Sequence, residues 1–240
     1  MKWLEINGQL VNSCSTISTV KNVLHLLTDV KSKSHFIICL INGLGANLIT
    51  SHRDKFTTMV FEMFGEYMPE TNDVKYYCYN EIRDNIEAYN LLDTENSNVF
   101  GNKIGDLIET PRIANASDIL IKWIQHSKSI FVVGPSASGK SKIIFKCINL
   151  LRGIECVTIH CSAQTSPEQI LLKMSQMCVV VSNNKGRIYR PKNSERLILH
   201  LKNLNHVKPD KWGSIHLAAF LQQLIFFGGF YEPATLEWMG

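Results

Sequence analysis

The apolar positions along the chain fall into two regimes. From 16 to 66 they recur at helical spacing. Val20, Val23, Leu24, Leu26 and Leu27, then Phe36, Ile37, Leu40, Ile41 and Leu44, predict two helices. A third carries Phe56, Met59, Val60 and Phe64, with Ser51 as its expected N-cap. Gly43-Leu-Gly45 lacks the strand–GxGxxG–helix setting of a dinucleotide loop and reads as a helix-end turn. Residues 67–110 are rich in Asn, Asp, Glu and Thr, hold one expected strand at 74–79, and read as a connector. Thr110-Pro111 opens the next helix, which runs to about Ile124 with Pro in its first turn.

From Ser129 onward strand and helix signals alternate. Ile130–Val133 is a short apolar run that reads as a buried strand, and Lys142–Leu151 as the helix after it. Cys156–Cys161 is a β-branched run. Ser166-Pro167-Glu168-Gln169 has the S-x-x-Q spacing of a capping box, with Pro at the first helical position of a helix to about Cys178. Gly186–Tyr189 and Leu197–Leu201 read as strands, and Ser214–Phe227 as a helix. This β-α-β-α order predicts an α/β fold with a parallel, three-layer core preceded by a mainly helical segment. Few strands are collected before Gly240, so the core reads as incomplete.

Between the first of these strands and its helix lies Gly134-Pro135-Ser136-Ala137-Ser138-Gly139-Lys140-Ser141, the P-loop pattern G-x-x-x-x-G-K-[ST]. In such a loop the backbone N–H groups and the helix N-terminus cradle phosphates. Lys140 is placed to reach the β- and γ-phosphates, and the Ser141 hydroxyl to meet a phosphate-bound Mg²⁺. The expected cofactors are therefore ATP or ADP with Mg²⁺. A plain Gly/Ser turn between strand and helix would leave the Lys-Ser pair unexplained.

Composition removes several alternatives. Apolar residues make up 45% of the 240, enough for a core, and 25 basic against 21 acidic residues leave a net charge of +4. With no arginine-rich stripe or aromatic-interleaved basic patch, no nucleic-acid partner is expected. The seven cysteines are odd in number and lack a C-x-x-C zinc spacing, as expected of reduced thiols in a cytosolic protein. Met1–Asn7 leads into polar residues rather than an apolar leader. The apolar stretches Phe36–Ile49 and Leu217–Tyr231 are interrupted by Asn, Gln or Gly and fall short of a membrane span. His160, Cys161 and Ser162 have no acid at ligand spacing and read as a strand end entering a loop. His200 reads as a half-buried strand residue, and Trp123, Trp212 and Phe226-Phe227 as packing.

Hydrolysis at a P-loop needs an acidic residue at the end of a second buried strand, where it helps hold Mg²⁺. The best such strand is Leu197–Leu201, and the next two residues are Lys202 and Asn203. The carboxylates after Ser141 are Glu155, Glu168, Glu195, Asp210, Glu232 and Glu237, and none follows an apolar strand run. An ammonium about 4 Å from Mg²⁺ is repelled by roughly 8 kcal/mol at an effective dielectric near 20. Lys202 is thus either a solvated lysine at the strand end or a cation turned toward the phosphates. In both cases binding survives and efficient hydrolysis is not expected.

Arg196–Gly213, with its Lys202-Asn-Leu-Asn block followed by Asp210-Lys-Trp-Gly213, resembles the second-strand block of dynein heavy chains, where D-E-I-N-L-P precedes D-K-Y/W-G. Leu217-Ala-Ala-Phe-Leu-Gln-Gln-Leu and Gly228-Gly-Phe-Tyr231 continue that likeness, and Ser162-Ala-Gln-Thr-Ser-Pro-Glu-Gln-Ile-Leu-Leu is similar to the S-A-x-T-T-P segment. Phe36–Leu48 resembles the closing helices of the preceding module. Within the family, Ile159–Thr165, Gly186–Lys192 and the lysine at 202 are similar to the branch that drives retrograde intraflagellar transport. The resemblance implies a piece of an AAA+ motor ring. Residues 1–66 would be the helical, lid-like end of the second AAA+ module, 67–110 a connector, and 111–240 the N-terminal part of the third. It implies adenine near Ile108, Thr110 and Ile113. It also implies neighbouring AAA+ modules as partners, and microtubules and the intermediate and light intermediate chains as partners of the whole motor. The implied location is the cytoplasm, cytoskeleton and cilium, with no nucleic acid or membrane partner. The alternatives are an active module that borrows acids from ring neighbours, and a structural ring piece without nucleotide.

Overall fold

Two serines start the first long helices. Ser15 Oγ accepts the N–H of Ser18 at the head of α2 (Thr16–Leu26), and Ser32 Oγ accepts that of His35 at the head of α3 (Lys33–Gly45). The computed structural model describes residues 2–70, 76–89, 110–183, 186–233 and 235–240, and it divides into two compact units, Met1–Cys147 and Ile148–Gly240.

In the first unit a short α1 (Lys2–Asn7) precedes α2 and α3, and α4 (Thr50–Phe64) follows. The three expected helices are all present. The start of α4 differs from expectation: its N-cap is Ile49, with no side-chain cap, and Ser51 lies inside the helix. The main chain sets that start instead. Ile49 N–H donates to the Gln9 carbonyl, while the Ile49 carbonyl takes the N–H groups of His52 and Arg53. Gly65, at φ 62°, ends the helix in the left-handed region that glycine adopts without strain. Ile37, Ile38 and Ile41 of α3 pack with Phe56, Val60 and Phe61 of α4 and with Leu4, Leu48 and Tyr77. Tyr77 belongs to β1 (Tyr77–Asn80), which pairs antiparallel with β2 (Asn85–Ala88). This is the strand expected at 74–79; positions 74 and 75 lie outside the described residues. Thr110 caps α5 (Pro111–Gln125) by accepting the Ile113 N–H, as the Thr-Pro pair predicts. α6 (Lys140–Leu150) begins at the P-loop lysine, and its buried Cys147 donates to the Ser117 carbonyl on α5.

His35 joins these pieces. It is 3% exposed, stacks on Tyr79 with centroids 4.5 Å apart, and sets Nε2 3.0 Å from Lys122 Nζ. Burial, and then the Lys122 charge, hold its pKa below the usual imidazole value of 6.5. The unfolded chain therefore takes the proton first. Stability from neutral His35 is complete above about pH 6.5 and is lost as pH falls below it. The urea midpoint is expected to drop between about pH 7.5 and about pH 5.5, and to drop less in His35→Gln. Equal drops would refute the assignment.

The second unit holds the α/β signal. β3 (Ile154–His160) and β6 (Arg196–Lys202) pair in parallel, Ile154 opposite Arg196 and His160 opposite Lys202. The connection between them contains α7 (Pro167–Met177) and a hairpin of β4 (Cys178–Asn183) and β5 (Gly186–Pro191). Ser166 stands at the N-cap of α7 but makes no capping bond, because its hydroxyl goes to the Glu168 carboxylate. The capping box is therefore not formed. α8 (His216–Phe227) is followed by β7 (Phe230–Tyr231) and β8 (Trp238–Met239), which join the hairpin in a mixed sheet of order β4-β5-β8-β7. Leu199 and Leu201 of β6 and Ile159 of β3 turn inward onto Ile170, Met174 and Leu217. α8 contributes Leu217, Phe220, Leu221 and Leu224, one stripe at helical spacing. Phe226 and Phe227 fall off that stripe and are 69% and 74% exposed, and Trp212 is 79% exposed. These three do not pack as expected.

Candidate phosphate-binding loop and strand end

The P-loop lies in the first unit, and its conformation is held by bonds local to itself. Ser138 Oγ donates to the Pro135 carbonyl at 2.8 Å. Lys140 folds back over the loop, with Nζ donating to the Gly134 carbonyl at 2.8 Å, to the Pro135 carbonyl, and to Ser138 Oγ at 3.3 Å. These partners use the three protons of the ammonium. Ala137 and Gly139 take φ of 59° and 81°. The left-handed region is natural for Gly139 and uncommon for alanine, and backbone held in such regions clusters at ligand-binding loops. Ile143 N–H donates to the Gly139 carbonyl, so α6 grows directly out of the loop. Gly134, Pro135, Ser136, Ala137 and Ser138 are exposed, and Gly139, Lys140 and Ser141 are half-buried. An anion arriving here meets the first N–H groups of α6 and a lysine held by neutral carbonyls. Exchanging those carbonyls for phosphate oxygens is favourable, because charge-assisted hydrogen bonds are about twice as strong as neutral ones.

The run before the loop departs from expectation. Ile130–Val133 forms no strand among the described residues, and Phe131 and Val133 are 72% and 66% exposed. A strand needs a neighbour for its main-chain N–H and C=O groups, and no described strand pairs with this run. Thr110, expected near adenine, is engaged as the cap of α5, and Ile113 donates to it; Ile108 lies outside the described residues.

In the second unit β6 ends as the sequence indicates, with no acid. The parallel register puts Ile154, Cys156, Thr158 and His160 on one face with Arg196, Ile198, His200 and Lys202. Toward the carboxyl end that face carries Thr158, His160, His200 and Lys202, with Thr158 Oγ1 3.4 Å from His200 Nδ1. Burial, then Lys202 and His160, depress the His200 pKa. Asn203 follows in the left-handed region at φ 58°, which asparagine tolerates, and begins a 3₁₀ turn over Leu204–His206. Asp210, the nearest acid downstream, is spent on its own loop. Its carboxylate accepts the N–H groups of Ser214 and Trp212 and faces His216 Nε2, and the Ser214 bond is the first cause of its lowered pKa. Ser162 Oγ is likewise taken up in a turn with Thr165 and Gln164. Among the described residues no three His, Cys, Asp or Glu side chains gather to hold a metal. The seven cysteines are free thiols, and burial pushes the Cys78 thiol up to about 11, far from a thiolate nucleophile.

Residues 102–240 match the family model described as the P-loop containing dynein motor region. The chain belongs to the dynein heavy chain family. Residues 1–64 match a second model, that of the cytoplasmic dynein 2 heavy chain 1 AAA+ ATPase domain. The chain is 38% identical over its whole length to cytoplasmic dynein 2 heavy chain 1 of Tripneustes gratilla, and 39% identical to that of Mus musculus. It is also 26% identical to a cytoplasmic dynein heavy chain of Paramecium tetraurelia over 55% of the chain. It spans about 6% of the length of the dynein 2 relatives. The α/β, P-loop AAA+ fold class is thereby established, and this chain is part of a dynein motor region.

Proposed function

We propose that this chain is a nucleotide-binding module of a ciliary, microtubule minus-end-directed dynein motor, and that it binds ATP or ADP without turning ATP over efficiently. One observation carries the reading: a P-loop with its lysine in place, Gly134–Ser141, stands in the same chain as a second motif reduced to Lys202-Asn203. Binding needs the first element; water activation and cation holding need acids at the second. Gly134–Gly139 would wrap the phosphates with main-chain N–H groups, Lys140 would neutralise them, and Ser141 would offer its hydroxyl. The two family matches, which fall on either side of residues 65–101, support the assignment of 1–66 to the end of the second AAA+ module. They likewise support 67–110 as connector and 111–240 as the start of the third. In this reading the partners are adjacent AAA+ modules of the same heavy chain, which the heavy-chain relatives support, and, through the whole motor, microtubules and the intermediate and light intermediate chains. The cytoplasm, the cytoskeleton and the cilium are the corresponding locations. In this reading nucleotide here tunes the ring rather than driving it.

Isothermal titration with ATP and with ADP, alongside phosphate release under the same conditions, tests the proposal. Saturable binding of both nucleotides with negligible phosphate release is expected. Absence of binding would remove the nucleotide-binding reading. Turnover at rates typical of enzymes, about 1 per second or faster, would remove the claim of poor hydrolysis.

A further inference from the structure

We infer that the outer edge of β4 takes up an extended peptide segment whose apolar residues alternate with acidic ones. Among the described residues β4 pairs on one side alone, with β5, and so ends the sheet β4-β5-β8-β7. The phase of its hydrogen bonds follows from its neighbours. Tyr189 N–H donates to the Gly240 carbonyl at 3.1 Å, and the Arg187 carbonyl accepts the Gly240 N–H at 2.9 Å. Both residues thus spend these main-chain groups on the far side of β5. In an antiparallel pair the residues opposite them, Val180 and Ser182, then turn their own N–H and C=O groups away from β5. The Lys192 N–H bond to the Met177 carbonyl, at 3.0 Å, continues the same alternation. Val180 and Ser182 therefore face outward along the edge with donors and acceptors at the spacing an added strand would meet.

Natural edge strands are blunted by shortness, charge, proline or a bulge. The opposite edge, β7, is two residues long. β4 has six residues, none of them charged or proline, and it pairs with β5 without a bulge. Val179 and Val180 are 45% and 48% exposed. The register sets what belongs beside each. Val180 shares a face with Tyr189 and the buried Cys178, and Tyr189 packs on the core of the second unit. An apolar side chain on an added strand would cover Val180 on that face. Val179 stands on the other face, opposite the exposed Arg190. Charge selects the occupant. From Cys178 to Lys192 the sequence carries Lys185, Arg187, Arg190 and Lys192 and no acid. Of these, Arg187 pairs with Glu237 at 2.6 Å. A second copy of this chain would bring two such hairpins edge to edge, like charge on like, whereas an acidic strand is attracted. Acidic residues on the Val179 face and apolar ones on the Val180 face give the alternation. Main-chain hydrogen bonds to the edge supply the affinity, as in other cases of strand addition.

The test titrates the 240-residue chain into two short labelled peptides, one alternating Val with Glu and one alternating Val with Lys, and reads fluorescence anisotropy. Saturable binding of the Glu peptide is expected, at least about tenfold tighter than that of the Lys peptide. Val180→Pro removes an outward N–H without touching the ladder to β5, at an edge position where proline is tolerated, and is expected to weaken binding at least about tenfold. Val180→Thr keeps that N–H and should bind within about threefold of wild type. A Glu peptide with every amide N-methylated cannot donate to the edge and is expected not to bind. It reads the same bonds from the ligand side, so the test stands even where circular dichroism shows that Val180→Pro has lost the fold. No saturable binding of the Glu peptide, or binding that Val180→Pro and amide methylation both leave unchanged, would overturn the inference. Equal affinity for the two peptides would overturn the acidic occupant. A doubled mass in light scattering, abolished by Val180→Pro, would assign the edge to a second copy instead.

Discussion

Lys140→Ala is expected to weaken ATP and ADP binding by more than about a hundredfold, the loss of two charged hydrogen bonds at about 1.5–3 kcal/mol each. The argument begins with the resting loop. Lys140 Nζ is held by the Gly134 and Pro135 carbonyls and Ser138 Oγ, all within six residues of it. The side chain therefore closes the loop before a phosphate arrives and needs only to change partners when one does. Truncation removes both functions. The phosphates lose their ammonium, and the Gly134–Ser138 turn loses the crosslink that helps hold Ala137 at positive φ. The fold should be spared, because the loop from Gly134 to Ser138 is exposed and carries none of the core. Titration calorimetry reads the affinity and far-UV circular dichroism the fold. Binding of Lys140→Ala within about threefold of wild type would show that nucleotide sits elsewhere or that the loop is a mere turn.

The parts of this molecule that were legible in the sequence are those whose bonds are local. Thr110 and Pro111 announce α5 because a helix N-terminus is satisfied by a residue three positions away. The P-loop is legible for the same reason, since the bonds from Ser138 and Lys140 that shape it span at most six residues. The run at 130–133 shows the limit. Its apolar letters describe a strand that would be buried, but burial and pairing come from other segments, and here Phe131 stands mostly in solvent. The hairpin β4–β5 was half visible. Val179-Val180-Val181 follows α7 without a break, so only the Gly186–Tyr189 arm declared itself, while their pairing, Val180 opposite Tyr189, is a matter of register. At the candidate site the missing acid could be read from Lys202-Asn203 alone. That Thr158 and His160 share a face with His200 and Lys202 could not, because it depends on a pairing 42 residues apart in sequence. The family matches established what the resemblance in the sequence had only implied, membership of the dynein heavy chain family.

Gly43→Val is expected to destabilise the first unit by about 3 kcal/mol, at the upper end of the usual cost of overpacking. The two glycines of Gly43-Leu-Gly45 looked alike in sequence, as a turn at the end of a helix. They are different in the fold. Gly45 closes α3, and a methyl group added there would meet Phe56 Cδ1 at 3.4 Å, an ordinary contact. Gly43 lies within α3 and is buried, and a Cβ there would stand 2.7 Å from Val23 Cγ2 and 2.8 Å from Val23 Cα. The second of these is main chain, so no rotamer change relieves it: α2 itself must move away from α3. That movement would pull Val23, which is 6% exposed, and Leu26, 5% exposed, out of their seats. Glycine inside a helix costs about 0.5–1 kcal/mol relative to alanine, so Gly43 is retained against propensity for the sake of the helix crossing. Gly45→Ala has no such crossing to lose and should be neutral or stabilising by up to about 1 kcal/mol. Hydrogen exchange at the α2 and α3 amides separates the two sites, because it reports the first unit without requiring the two units to unfold together. Faster exchange along α2 in Gly43→Val, with Gly45→Ala unchanged or slower, is the expected pattern. Equal protection in both variants would mean that α2 does not cross α3 at Gly43, and the close approach on which the packing of Val23 depends would have to be abandoned.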